Sequence, residues 1–406
     1  MAEVKNFNSY AKGKLNKDAD DSEDFSSFND KIRGHRLRVF YRTILSIILV
    51  AAVTIVIYIQ WKDKIFSQMV YTENVTISDN SGSSAIALGD NIVQYSKDGI
   101  SCMNVKGEAM WNQTYEMQSP IIHTCDDALA VGDYNGNNIY VADTSGILGQ
   151  INTNLPIRDF CISAQGVVAV ILDDSDVTWI NLYDSAGNSL ANIKTTMQDS
   201  GYPLAVAISP NGQLVSVSYI NAQDSDIKTS IAFYNFGSVG QNEVDNYASG
   251  YDYQGSLAPT VKFMNSKTAF AVSDDRIMFY SGSEVLESKA ENLFGTDEVR
   301  SVFSSDEYVG IVFNNGTDDG AYRLQVYNTS GTLVLTKYFN IEYSDIVFGK
   351  DQFTIYNSSE MLLCAIDGTE KYTGDFKNDI KAIIPSSSRN HFTLVTSNSI
   401  NQIELR

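Results

Sequence analysis

Basic residues are scarce: 29 Lys and Arg stand against 49 Asp and Glu in 406 residues, a formal net charge of −20. The shortage is confined to one part of the chain. Residues 1–61 hold nine basic and seven acidic side chains, which leaves 20 against 42 for residues 62–406. A body this acidic repels a phosphate backbone, whose recognition rests on Lys and Arg, so nucleic acid is excluded as a partner. Histidine is scarcer still, with His35, His123 and His391 the only three. His is the usual general base, yet His123 ends a strand pattern and His391 sits in a turn, ordinary structural settings for both. No GxSxG, HExxH, P-loop or dinucleotide fingerprint occurs, and no carboxylate pair stands out as a glycosidase site, so no catalytic residue is expected.

Cys102, Cys125, Cys161 and Cys364 form no CxxC and no metal-ligand spacing. Each lies in or beside an apolar strand pattern and reads as a small buried hydrophobe, with no metal site expected. An oxidising compartment would permit a bond between, for example, Cys125 and Cys161 on neighbouring repeats, but spacing does not establish pairing. Proline is also rare at 6, against 27 Gly, 23 Tyr and 19 Phe. Short strands joined by polar turns, an all-β body, fit that balance.

One long hydrophobic run is present. Thr43 to Ile59 carries no charge, and with Arg42 snorkelling the span 39–61 covers roughly 34 Å, enough for about 30 Å of hydrocarbon. Tyr41, Tyr58 and Trp61 suit its interfaces. The charged segment ahead of it is too long for a cleaved signal peptide, and QWKDKIF offers no small-residue cleavage site, so the run reads as an uncleaved anchor. Lys31, Arg33, Arg36, Arg38 and Arg42 precede it while only Lys62 and Lys64 follow closely, which places the N-terminus in the cytoplasm and the body outside. The division expected is a disordered cytoplasmic tail over 1–38, its acidic DADDSED followed by Phe25 and Phe28; a transmembrane helix over 39–61; a stalk over 62–72; and the extracytoplasmic body over 73–406.

In the body a pattern recurs every 35 to 55 residues or so. Its first line is a short strand ending in a polar turn: SPIIHTC, IRDFCIS, PLAVAIS, APTVKFM, VRSVFSS, YSDIVFG and IKAIIPS. A second, more apolar strand follows, as in VVAVILD and TAFAVSD. The third often ends with Asp or Asn three positions before Gly: Asn104 and Gly107, Asp143 and Gly146, Asp184 and Gly187, Asn328 and Gly331. There the Asx side chain opens a turn and Gly supplies the positive φ of a bulged hairpin, after which a fourth strand runs back. Four antiparallel strands per unit are the mark of a propeller blade. Seven such units plus an opening one over 85–115 predict eight four-stranded blades, with seven as the alternative. The last unit stops at its third strand, INQIELR, and Val75-Thr76-Ile77 is expected to supply the fourth and close the ring.

The stretch VAISPNGQLVSVSY from Val206 resembles the strand-turn-strand of WD-repeat and related bacterial propellers, and the Tyr-Asp-x-x-Gly turns resemble those of quinoprotein-type propellers. The layout of tail, span and propeller is similar to a family of membrane proteins from Gram-positive bacteria defined as a domain of unknown function. That resemblance covers about residues 35–406 and implies a fold and a location, not an activity. No Trp-Asp dipeptide occurs, which sets the chain apart from true WD repeats. With Trp only at 61, 111 and 179, the Trp-bearing repeat of quinoprotein enzymes is missing and no quinone is expected.

Two groups of residues are candidates for binding. The loops between second and third strands carry Asp98, Asp133, Asp173, Asp174, Asp176, Asp224, Asp226, Asp274, Asp275, Asp318, Asp319 and Glu360, predicting an acidic rim on one face that attracts a cationic partner or weakly binds Ca²⁺. Asp is also simply favoured in hairpin turns. The second group is Tyr247, Tyr251 and Tyr253, where Tyr offers apolar area with a polar tip, although part of that stretch reads as an ordinary outer strand. The expectation is a monomeric ectodomain on one transmembrane helix, binding an envelope protein or glycan without catalysis or a required cofactor. A propeller hydrolase or lyase and a sensor signalling through the tail are the alternatives.

Overall fold

A computed structural model describes residues 33–406 apart from 57, 61–62, 79–81, 175–176, 197, 199 and 224–225. Phe25, Phe28, Trp61, Asp176 and Asp224 therefore lie outside the described residues. The chain divides into two units, residues 1–64 and 65–406. The first contains helix α1, Arg33–Gln60, 28 residues long. Leu45, Ile47, Leu49 and Val50 are all exposed on it, an apolar surface in every direction, as a lipid-facing helix requires. Its few hydroxyls are spent internally: Thr43 Oγ1 donates to Val39 O at 2.5 Å and Ser46 Oγ to Arg42 O at 2.9 Å. The helix is long and apolar enough to cross a membrane.

Among its described residues the regular structure of the second unit is strand apart from two single-turn 3₁₀ segments, with 32 strands in eight sheets of four. In chain order the blades occupy 84–114, 120–152, 157–195, 202–254, 260–293, 299–339, 345–375 and 380–405, the last completed by Met69–Thr76. Eight blades it is, not seven. The closing strand pairs antiparallel with Ser399–Leu405, Val75 opposite Ile400 and Thr76 opposite Ser399, and Ile77 N extends the ladder to Asn398 O at 2.9 Å. That is the seam expected from the unfinished last unit. The strand starts at Met69, so residues 69–72 belong to the ring.

Burial follows position within a blade. In blade 3 the second strand Val168–Asp174 is apolar and buried on both faces until its last two residues, while the outermost, Ser189–Thr195, is half exposed. The cores lie between blades. Phe270 and Phe279 of blade 5 pack with Ile311 and Phe313 of blade 6, and Val75 and Ile400 meet Ile92 of blade 1 at the seam.

The Asx-x-x-Gly turns take the conformation their sequence demands. In blade 3 Asp184 Oδ1 accepts from Ala186 N at 3.0 Å and Asn188 N at 2.8 Å, Gly187 adopts φ 90°, and the ladder slips one residue at Tyr183. Packing adds a second demand. A Cβ on Gly187 would sit 2.6 Å from Gln150 O on the outermost strand of blade 2, and one on Gly331 would meet the Ala290 Cβ of blade 5 at 2.5 Å. The glycine lets each turn lie against the preceding blade.

Candidate functional site

Antiparallel order sends the second-to-third-strand loops and the blade-to-blade connections to one face of the ring. Asp98, Asp174, Asp318 and Asp319 are exposed there. Asp133, Asp173, Asp274, Asp275 and Glu360 of these loops are engaged. Asp133 Oδ1 accepts from Ser119 N at 2.7 Å and Gln118 N at 3.1 Å, and Asp274 Oδ1 accepts from Leu257 N at 2.9 Å. Glu360 accepts from Asn357 Nδ2 at 3.2 Å. Asp173 pairs with Arg158 at 2.7 Å and Asp275 with Arg276 at 2.7 Å, the Arg276 contact holding the Asp275 carboxyl down at about 2. Asp226 opens the third strand of blade 4. Among the described residues no three His, Cys, Asp or Glu side chains come together in a metal-holding cluster.

The same face carries a feature absent from the sequence-based expectations. Arginines lie over tyrosine rings there: where blades adjoin, Arg158 is 5.8 Å from the Tyr134 centroid, Arg276 5.7 Å from Tyr253 and Arg300 5.7 Å from Tyr343, and within its own blade Arg300 is also 4.8 Å from Tyr322. Arg300 and Tyr134 are exposed, the latter by 41%. The tyrosines of Tyr247–Gln254, outermost in blade 4, share one parity along the strand, and a register shift at Phe233/Tyr234 separates Tyr247 from the other two. Tyr251 donates to Leu286 O at 3.0 Å and packs on Phe233, while buried Tyr253 bonds Tyr280 Oη at 2.8 Å. Tyr247 alone of the three is exposed, beside Val244 at the turn before it.

A cavity of about 740 Å³ opens into the central channel among the innermost strands of blades 2 to 6. His123, Asp159 and Lys262 line its depth, Cys125 and Cys161 its wall, and Asp126 and Asp306 the loops beyond. Asp159 Oδ1 accepts from Phe160 N at 2.9 Å, and Oδ2 takes only a long bond from Val206 N at 3.4 Å. His123 packs edge-on against Phe160, centroids 5.1 Å apart, and its Nε2 is sealed from solvent without a hydrogen-bond partner, 4.0 Å from Asp159 Oδ1. Burial pulls His123 down to about 4, Lys262 repelling its proton further, and pushes Asp159 up to about 6 against the bonds from Val206 and Phe160. The thiols are free. Burial raises Cys125 to about 11 and pushes Cys161 well above the ordinary thiol range, so neither is a thiolate nucleophile near neutral pH.

The His123 and Asp159 shifts oppose each other in stability. A lowered His loses folded-state stability as pH falls from about 6.5 to about 4, because the unfolded chain gains the proton first. A raised Asp gains stability over nearly the same window as pH falls from about 6 towards its ordinary value. Asp159→Asn removes one arm. Its urea midpoint should drop, relative to wild type, progressively from pH 6.5 to pH 4; parallel pH profiles for the two proteins would refute the assignment.

The ring is similar to solved propellers of low sequence identity. The C-terminal WD40 domain of Sif2 matches at 11% identity, covering 84% of this chain and 99% of that one with a TM-score of 0.53. BamB from Moraxella catarrhalis matches at 10%, covering 83% and 100% with a TM-score of 0.47, and the Neurospora crassa Pan2 WD40 domain at 10%, covering 70% and 88% with 0.43. At such identities the likeness to Sif2 shows the fold alone. No curated protein matches the sequence. Residues 62–405 match the model of a family described as Family of unknown function (DUF5711).

Proposed function

The chain belongs to that family of unknown function, and from the face its ring presents we propose that it is a protein-interaction scaffold of the cell envelope, carried outside the membrane by α1. The observation that carries this reading is the set of arginine-on-tyrosine stacks at the blade junctions, Arg158 on Tyr134, Arg276 on Tyr253 and Arg300 on Tyr343. Tyr and Arg are the residue types that dominate binding energy at protein interfaces, and a stacked guanidinium meets a partner with its rotamer already restricted. Exposed Asp98, Asp174, Asp318 and Asp319 around the same face add charges of the other sign, which suits a partner of mixed charge. A glycan is the weaker reading, because sugar stacking needs open aromatic faces and the guanidinium groups cover these. The Lys and Arg excess before α1 supports a cytoplasmic N-terminus and an external ring.

Crosslinking in intact cells followed by mass spectrometry identifies the partner, and the double variant Arg158→Ala, Arg300→Ala tests the face. Partner recovery should fall about tenfold or more, the loss expected for one or two interface anchors, while the melting midpoint stays within a few degrees. Undiminished recovery, or a reporter fused after Arg406 that reads out in the cytosol, would sink the proposal.

A further inference from the structure

The channel cavity holds charges of both signs that do not neutralise one another. Lys262 has no carboxylate within 4.0 Å among the described residues, although Asp159 lies near enough to oppose the burial that lowers its pKa. Asp159 in turn keeps acceptor capacity on Oδ2. Beside them His123 Nε2 has no hydrogen-bond partner, Asp159 Oδ1 lying 4.0 Å away. Buried polar atoms without partners are rare in finished interiors, and one beside an open ammonium and an open carboxylate marks a place built to receive something. At the loop end, burial and the like charge of Asp126 raise the Asp306 carboxyl, an arrangement that a cation relieves.

These constraints select the occupant by elimination. A simple anion meets Asp159, Asp126 and Asp306; a simple diamine meets Lys262. A zwitterion satisfies both poles, and Ile162, Ala205, Ile208 and Phe263 give its aliphatic part an apolar wall. At about 740 Å³ the cavity is of ordinary ligand-site size. We infer that the channel binds a free basic α-amino acid, its carboxylate on Lys262, its α-ammonium on Asp159 and its side-chain cation towards Asp126 and Asp306.

The test is calorimetric titration of the full chain in detergent with L-lysine, glycine, cadaverine and succinate as separate probes. L-lysine should saturate at one per chain, with the other three at least about tenfold weaker, the loss expected for one charge-assisted contact. Lys262→Met and Asp159→Asn should each weaken L-lysine by a similar factor. The proposal is overturned by no saturable heat with L-lysine up to about 10 mM, a range that captures even weak sites. Cadaverine binding as tightly as L-lysine, or undiminished L-lysine binding by folded Lys262→Met, would also overturn it. The four-probe comparison on wild type decides the matter even if a variant does not fold. Arg300→Ala should leave L-lysine binding unchanged, so the two sites stand or fall separately.

Discussion

Removing residues 400–406 should abolish cooperative folding of the ring. Six of the seven residues form most of the strand Ser399–Leu405, hydrogen-bonded on both sides, to His391–Thr396 and to Met69–Thr76. They bury Ile400, Ile403 and Leu405 almost completely. At about 1.5–3 kcal/mol per buried aliphatic side chain, these three alone contribute about 5–9 kcal/mol, against a net stability of about 5–15 kcal/mol for a whole domain. The loss also bares two strand edges at the seam. Thermal melting followed by circular dichroism should show no sharp transition, and limited proteolysis should cut throughout 65–399. A truncated protein that melts and resists protease as the full chain does would contradict ring closure through this strand.

Gly187→Val should cost about 3 kcal/mol or more. A branched residue at φ 90° is strained by about 1–2 kcal/mol, and the added Cβ would lie 2.6 Å from Gln150 O, a backbone atom that cannot swing aside. Opening the turn to relieve that contact also loosens the junction of blades 2 and 3, where Gly149 already approaches Ser185 O so closely that its own Cβ would fall 2.3 Å away. Urea unfolding measures the loss. A midpoint shift worth less than about 1 kcal/mol would mean that the turn matters only for hairpin geometry and not for packing between blades.

The ring was readable because its two strongest signals are local. A buried second strand such as Val168–Asp174 is an unbroken apolar run, and an Asp184-to-Gly187 turn is specified within four residues. Even the seam was readable, since a last unit one strand short implies a strand elsewhere. The faces were not, because they are assembled from residues far apart in the chain. Arg158 stacks on Tyr134, and Arg300 on Tyr343, across blade junctions that a residue pattern does not encode. Asp133 and Asp98 look alike as loop acids; only the Ser119 and Gln118 amides beneath Asp133 distinguish them. The tyrosines part company for the same reason, Tyr247 being exposed while Tyr253 is paired with Tyr280 of the next blade. A signal for the channel does exist. Lys262 is the single charge in APTVKFM, and Asp159 sits beside Arg158 in IRDFCIS, both in innermost-strand lines that face the axis.

The seam also imposes a schedule on biosynthesis. Thr72 Oγ1 bonds Gln402 O across 330 residues, so the first strand made must wait for the last. Every intermediate blade stack remains an arc with unsatisfied ends, and the slow, distant pairing comes only when Ser399–Leu405 has been made. A ring that lacks its Ser399–Leu405 strand keeps both ends of the arc bare, so one pairing shields the edges of the first and last blades together.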